Sequence, residues 1–341
     1  MSSAVANRSA ETVAETPLLS VRDLHVEFRT ANRIVHAING VSIDVRSGET
    51  MAVLGESGSG KSVTFDAVLG ILESPPGYVT KGSAMFKGRD LFALSPRERR
   101  AMSGRHLGMI FQDPLSSLNP VYTVGWQIAE MLRIHLGVSR KDAHRQAIAL
   151  LDRVGIPGAR ERVDDFPHQF SGGMRQRVVI AMALAGNPEV IIADEPTTAL
   201  DVTVEAQILK LLQKLQEDQG VGLVLITHSM GVVAEIAHKV TVMYAGQVME
   251  RGPVRDLFRR PAHPYTRGLL ASAPRRGGGS TRLIPIGGQP PDLANIPTGC
   301  PYHLRCSFAR DICRVEPPPL MQFDNDRASA CHFLQEVMDA K

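Results

Sequence analysis

Apolar residues follow distinct rhythms along this chain. Leu18 to Phe28 and Ile34 to Val45 alternate enough to predict strands, the second with Gly40 near its centre. Thr50-Met51-Ala52-Val53-Leu54 reads as a short buried strand. From Lys61 to Leu72 the spacing turns helical, with Val63, Phe65, Val68 and Leu72 apolar. Residues 73–110 are mixed, with turn signals at Pro75-Pro76-Gly77 and Gly88-Arg89-Asp90. Helical periodicity returns over 121–186, through Ile128, Met131 and Leu132 and then Ala147, Leu150, Leu151 and Val154. Val190 to Ala193 and Leu223 to Ile226 are near-continuous apolar runs, which predicts central strands of a parallel sheet buried on both faces. Between them Val204, Ile208, Leu211, Leu212 and Leu215 form one helix stripe. Lys239 to Met249 predicts a hairpin around Ala245-Gly246. Beyond Arg259 proline, glycine and arginine accumulate, and Arg275 to Ser280 reads as a linker. The whole is an α/β pattern without internal repeats.

Composition narrows the picture. At 341 residues the chain exceeds one typical domain, so a large domain with an appendage is expected. A net charge of +3 from 38 basic and 35 acidic residues gives no electrostatic case for nucleic acid. The longest apolar run, Val178 to Ala185, is far short of a membrane span. Residues 1–16 lack an apolar segment of signal-peptide type and predict a disordered tail on a cytosolic chain. Any membrane role must then come through a partner. All four cysteines, Cys300, Cys306, Cys313 and Cys331, fall in the last 42 positions, which assigns them to one site or module.

The chemistry concentrates where apolar runs end. Gly55-Glu56-Ser57-Gly58-Ser59-Gly60-Lys61-Ser62 is a complete phosphate-binding P-loop between a predicted strand and a predicted helix. Its glycines let the backbone wrap a phosphate chain, and its amides converge at a helix N-terminus. Lys61 is placed to reach the β- and γ-phosphates and Ser62 to hold Mg²⁺, so the chain binds a nucleoside triphosphate. A strand ends in Asp194-Glu195; the first carboxylate suits the Mg²⁺ shell and the second the polarising of a water. His228 closes the strand Leu225-Ile226-Thr227, at the strand end where ligands of open α/β sheets bind. Ser171-Gly172-Gly173 opens a helical run through Gln176 and makes a second anion-binding terminus. One nucleotide does not need both termini from the same side unless two chains share it.

In these residues the chain closely resembles the ATP-binding subunits of ABC transporters. Ser171-Gly172-Gly173-Met174-Arg175-Gln176 matches the family signature. Phe111-Gln112-Asp113-Pro114 resembles the Q-loop, Glu195 to Asp201 the catalytic glutamate running into the D-loop, and Thr227-His228 the switch histidine. The resemblance implies a RecA-like P-loop NTPase core with an antiparallel β subdomain and a helical subdomain at about 113–186, spanning 17–258. It implies a head-to-tail dimer with ATP between each P-loop and the partner's signature helix. Gly55, Ser57 to Ser62 and Val63 would bind the nucleotide, with Phe28 as the candidate adenine platform and His36 a weaker one. Ser62, Gln112 and Asp194 would attend Mg²⁺; Glu195, His228 and Gln112 would be catalytic. Ser171, Gly172, Gly173 and Gln176 would clamp the partner's ATP, and Asp201 would act across the dimer. The segment 113–136, with Ser116, Asn119, Tyr122 and Trp126, is expected to line a groove for a permease helix.

A narrower resemblance, to the oligopeptide/dipeptide importer subfamily, rests on several further stretches. These are Phe111-Gln112-Asp113-Pro114-Leu115-Ser116-Ser117-Leu118-Asn119-Pro120, Pro167-His168-Gln169-Phe170, His263-Pro264-Tyr265-Thr266, Pro317-Pro318-Pro319 and the cysteine tail from Cys300 to His332. It implies a homologous second ATPase, two membrane permeases, an extracytoplasmic peptide-binding protein and a place at the cytoplasmic face of the membrane. Relatives on this chassis carry nickel, glutathione or other small solutes, so cargo stays open; a soluble non-transport ABC ATPase is the rival class. The C-x5-C-x6-C-x17-C spacing lacks the close pair usual for structural zinc. By resemblance a [4Fe–4S] cluster on the four cysteines is expected, with Zn²⁺ or uncoordinated thiols as alternatives. The extension 259–341 carries no ATP motif, so the ATPase core is expected to be complete without it.

Overall fold

The computed structural model describes residues 16–198, 200–273, 285–324 and 326–340. The expected tail up to residue 15, Ala199 and the linker Arg275–Ser280 lie outside the described residues. Strands β1 (Leu19–Arg29) and β2 (Ile34–Val45) pair antiparallel, and β3 (Thr50–Leu54) leads through the P-loop into helix α1 (Lys61–Leu69). The helix stops short of the expected Leu72 because Gly70 takes a left-handed conformation, φ 75°, and caps it. Strands β4 (Gly77–Phe86) and β5 (Arg89–Asp90) complete a four-stranded sheet of order β2-β1-β4-β5.

The chain then forms α2 (Pro96–Met102), β6 (Leu107–Ile110) and α3 (Pro114–Ser117). The long periodic stretch resolves into α4 (Val124–Leu136), α5 (Arg140–Arg153), α6 (Ala159–Arg162) and α7 (Gly172–Leu184). Beyond lie β7 (Val190–Asp194), α8 (Val202–Gln219), β8 (Gly222–Thr227), α9 (Met230–Ile236), β9 (Lys239–Tyr244) and β10 (Gln247–Pro253). The hairpin between β9 and β10 turns on Ala245 and Gly246, φ 48° and 74°, the positive pair a tight two-residue turn requires. After α10 (Val254–Arg259), the extension adds α11 (Pro264–Ser272), α12 (Asp311–Val315), β11 (Met321–Asp324), β12 (Arg327–Ser329) and α13 (Leu334–Asp339).

The second sheet has eight strands in the order β11-β12-β10-β9-β3-β8-β7-β6, parallel from β9 to β6. Its central strands are buried on both faces, and alternation deals their side chains to different cores. Met51, Val53, Val190, Ile192, Val224 and Ile226 join a core under the four-stranded sheet. Ile191, Ala193, Leu223 and Leu225 join the helical core of α4, α5, α7 and α8. Ala52 and Leu54, on the other face of β3, join a third core with Tyr244, Tyr265, Tyr302, Cys300 and Cys313. The C-terminal extension therefore backs the strand that delivers the P-loop. It also extends the sheet, since β12 pairs with β10 through Glu250–Ser329 and Arg251–Ala328.

Candidate active site

The P-loop is held by packing from three sides. Gly60 sits at φ 97° as the N-cap of α1, where a Cβ would lie 2.5 Å from Ile38 Cδ1 and 2.8 Å from the Ala37 carbonyl. The β9–β10 turn closes a second side, with Gly246 N–H donating to the Ser59 carbonyl at 3.0 Å. On the third side Tyr265 Oη accepts from the Glu56 amide at 2.8 Å. Ser57 and Gly58 form the exposed rim, while Ser59 is buried with its Oγ unpartnered. Lys61 is buried and folds back, donating to the carbonyls of Gly55 at 2.8 Å and Glu56 at 3.0 Å. Burial lowers its pKa against the pull of Glu195, Asp194 and Glu56.

The acidic strand end lies beside it. Asp194 is buried, and burial raises its pKa although the Ser62 hydroxyl hydrogen-bonds to it. Asp66, one turn along α1 from Ser62, is raised to about 6 by burial and by Asp194. Asp194 and the Ser62 hydroxyl bonded to it supply oxygen donors of the type that suits Mg²⁺.

Glu195 is the junction of the site. Its backbone takes φ 44°, a conformation that costs a non-glycine residue about 1–3 kcal/mol, and its amide donates to the Ile226 carbonyl at 2.9 Å. Oε1 lies 3.0 Å from His228 Nδ1, and Oε2 accepts from Gln112 Nε2 at 3.2 Å and Thr198 Oγ1 at 3.0 Å. Burial pushes its pKa up, but the bonds from His228 and Thr198 outweigh this and hold it below the usual glutamate value. The structure thus brings together Lys61, Ser62, Asp194, Glu195, Gln112 and His228 from separate parts of the sequence. Thr198, inside the Glu195–Asp201 stretch, and Asp66, within α1, were not singled out, because a polar turn residue and a polar helix residue each have a ready local explanation.

The second anion-binding terminus stands apart. Ser171 is the exposed N-cap of α7, accepting from Met174 N–H at 3.4 Å, and Gly172 is exposed beside it. A Cβ on Gly173 would sit 2.5 Å from Val204 Cγ1 on α8. No hydrogen bond among the described residues joins this terminus to the P-loop. Gln176 differs from its neighbours: its side chain is buried and Nε2 has no partner, so it faces the interior of this chain. Asp201 caps α8, accepting from Thr203 and Val204 amides at 3.1 and 2.9 Å. Val63 and Phe28 are half-buried against the core under the four-stranded sheet. His36 pairs with Glu27 at 3.5 Å.

Residues 38–198 match the ABC transporter family model, and residues 249–313 match the oligopeptide/dipeptide transporter, C-terminal region. The oligopeptide transport ATP-binding protein OppD of Bacillus subtilis is 51% identical over 308 residues, 90% of this chain and 86% of that protein. The chain belongs to the ABC transporter ATP-binding family. The dipeptide transport ATP-binding protein DppD of Bacillus subtilis is 50% identical over 309 residues, 90% of this chain and 92% of that protein. Among solved structures, the dimeric bacterial ABC transporter cassette MJ0796 superposes with a TM-score of 0.62 at 27% identity, covering 70% of this chain and 99% of that one. The fold is accordingly that of an ABC ATPase cassette.

An apolar cleft of about 1080 Å³ opens in this ABC cassette between α1, α2, α4 and α7. Phe111, Ser117, Met131 and Ile134 line it, so the segment after Gln112 does border a groove. Asn119, Tyr122 and Trp126 are not in its lining. Tyr122 and Trp126 instead stack on each other at 4.1 Å and remain about 40% exposed.

The cysteines converge, but not into a ligand set. All four line one small cavity of about 20 Å³, the volume of a water-sized sphere. Burial pushes Cys300 up to about 11 and Cys331 up to about 12, and raises Cys306. Among the described residues no three His, Cys, Asp or Glu side chains are disposed to hold a metal ion. The expected [4Fe–4S] or zinc site fits in donor type and number but not in donor spacing. The extension does reach the site: Tyr265 and Arg305 both bond to P-loop Glu56.

Proposed function

We propose that this chain is the ATP-hydrolysing subunit that drives peptide import through a membrane permease complex. The observation that carries the reading is the junction at Glu195, where Gln112, Thr198 and His228 meet one carboxylate next to Lys61 and Asp194. In this reading Lys61 leaves its loop carbonyls for the β- and γ-phosphates, and the amides of Gly58 to Ser62 cradle the anion at the start of α1. Ser62, Asp194 and Gln112 would hold Mg²⁺, which would supply charge neutralisation on the phosphates. Glu195, kept ionised by its partners, orients a water for in-line attack on the γ-phosphorus. The bond to the bridging oxygen breaks and ADP departs with the charge, while His228 steadies the γ-phosphate. Ser171, Gly172 and Gly173 bind the γ-phosphate of a partner's ATP, and Asp201 reaches the dimer interface. Phe28 supports the adenine.

The domain plan proposed with it is a core at 17–258, a helical subdomain at about 113–186, and an extension at 259–341 folded onto the core. The partner is a homologous second ATPase, and the apolar cleft beside Gln112 takes a helix from one of two permeases. A peptide-binding protein completes the system outside the membrane. No described helix is long and apolar enough to cross a membrane, and the proposed place is the cytoplasmic face, peripheral through the permeases. A [4Fe–4S] cluster, or Zn²⁺, on Cys300, Cys306, Cys313 and Cys331 rests on donor chemistry and on the four cysteines lining one cavity. Iron and zinc analysis of anaerobically purified protein tests it: four iron per chain supports the cluster, one zinc the alternative, neither refutes both. The function is tested by reconstituting the chain with its permeases and second ATPase. Peptide-stimulated hydrolysis and uptake support it; uptake of nickel or glutathione instead overturns the cargo, and activity without permeases overturns transport.

A further inference from the structure

The nucleotide site contains a carboxylate that this hydrolytic scheme does not use. Glu56 is the second residue of the P-loop, and an anion beside a triphosphate site repels the ligand unless something neutralises it. That something comes from far along the chain. Arg305 Nη1 lies 2.6 Å from Glu56 Oε2 and Nη2 lies 2.9 Å from Oε1, a two-pronged pair. The Arg305 side chain is only 4% exposed and that of Glu56 25%. Arg305 also donates to Tyr244 Oη at 3.2 Å and to the Gly287 carbonyl at 2.8 Å. Its guanidinium lies over the rings of Tyr244 and Tyr302, at 5.7 and 5.9 Å. The bonds to Tyr244 and Gly287 thus orient the fork that meets the carboxylate.

Arg305 closes a one-turn helix, His303–Arg305, whose C-cap is Cys306. The turn is tied to the cysteine cavity at both ends. Cys300 N–H donates to the Cys313 carbonyl at 2.8 Å, and His303 N–H donates to the Cys300 carbonyl at 3.0 Å. On the other side of the pair, the Glu56 carbonyl accepts from Lys61 Nζ at 3.0 Å and the Glu56 amide donates to Tyr265 Oη. One continuous set of bonds therefore runs from the cysteine turn through Arg305 and Glu56 to the phosphate-binding lysine.

We propose that Arg305 is a positioning residue of the nucleotide site, which neutralises Glu56 and fixes the P-loop so that the cysteine turn sets ATP affinity. The inference rests on the nucleotide-site reading above. Arg305 touches no reacting atom, so its loss raises KM and leaves kcat in place.

The test uses the full chain and a fluorescent ATP analogue with Mg²⁺, followed by KM and kcat in the assembled transporter. Arg305→Ala is expected to weaken binding about tenfold, since it leaves an uncompensated carboxylate at the loop. Adding Glu56→Gln to Arg305→Ala is expected to restore affinity to within about twofold, because the repulsive charge is then gone. A purely structural Arg305 predicts the opposite, a double variant at least as weak as the single one. Thermal unfolding without nucleotide identifies variants that do not fold. Should Arg305→Ala be one, Arg305→Lys keeps the charge but loses the fork, and an intermediate affinity is expected. Unchanged affinity in every folded Arg305 variant, or no recovery in the double variant, overturns the proposal. If the wild-type chain does not bind the analogue, or Lys61→Ala binds it equally well, the nucleotide-site reading fails first and the inference with it.

Discussion

Residue roles at the site separate by what each side chain touches. Glu195 is held as a carboxylate by His228 and Thr198, whereas Lys61 bonds only loop carbonyls that a phosphate can replace. Glu195→Gln should retain ATP binding and lower turnover by about 10²–10⁴, and ATP-bound dimers should accumulate. The measurement is single-site turnover in a complex whose partner site is disabled; wild-type turnover there removes Glu195 from its role. Lys61→Ala should instead weaken binding itself, read by the same titration. Thr198→Ala removes one of the bonds on Oε2 without altering charge. It should lower kcat severalfold, by about 1 kcal/mol, with KM for ATP unchanged. Here the sequence was partly legible. P-loop and carboxylates announced themselves through motif chemistry, but Thr198 sits in a turn whose polarity has a ready local explanation.

At the scale of elements, α11 carries a titration that reports on folding. His263 caps the helix by accepting from the Tyr265 amide at 3.0 Å, and its own amide donates to Glu250 Oε2 at 3.0 Å. Burial lowers the His263 pKa to about 3 and raises that of Glu250 to about 7, with Arg327 at 3.4 Å partly opposing the latter. The depressed histidine contributes stability above its unfolded pKa of 6.5, lost as pH falls toward about 3. The raised glutamate contributes stability below its unfolded pKa of 4.5, lost as pH rises through about 7. The two slopes cancel between those unfolded values, so their joint acid loss begins only near pH 4.5 and runs at about 1.4 kcal/mol per pH unit. Urea midpoints across pH 3–7 check this: His263→Asn keeps a capping oxygen and should flatten the acid limb, while Glu250→Gln should move its onset up toward 6.5. An unaltered limb in both variants would show that other groups govern acid unfolding. Another element contact is equally specific: Gly173→Ala places a methyl 2.5 Å from Val204 Cγ1. It should cost about 1–3 kcal/mol by prising α7 from α8, read as a lower thermal midpoint.

Across the whole molecule, the extension and the cleft decide how the cassette behaves in company. Ala52, Leu54, Tyr244 and Met249 are covered by Tyr265, Tyr302 and the cysteine turn within one core. Truncation after residue 258 should uncover that face and give aggregating protein rather than a free-standing ATPase, as judged by gel filtration. A monodisperse, nucleotide-binding truncation would contradict the packing described here. The cleft predicts where the permease docks: cysteines at Met131 or Ile134 should cross-link to it in an active complex, and cysteine at Tyr122 should do so less.

What the sequence determined by itself was local and periodic. Alternation and apolar runs marked the strands, glycines with a lysine and a serine marked the phosphate cradle, and a strand ending in Asp194-Glu195 marked its acidic edge. These are legible because each requirement is met within a few consecutive residues. Tertiary structure alone decided the rest. It set Gln112, Thr198 and His228 around one glutamate, and placed Asp66 beside Asp194. It turned Gln176 inward, gathered four cysteines around one small cavity, and brought Arg305 to Glu56 across 249 positions. No local propensity encodes such a pair. A buried arginine is tolerated only where a fold delivers a carboxylate to its fork, and that delivery depends on how β3, β9 and the cysteine turn pack together.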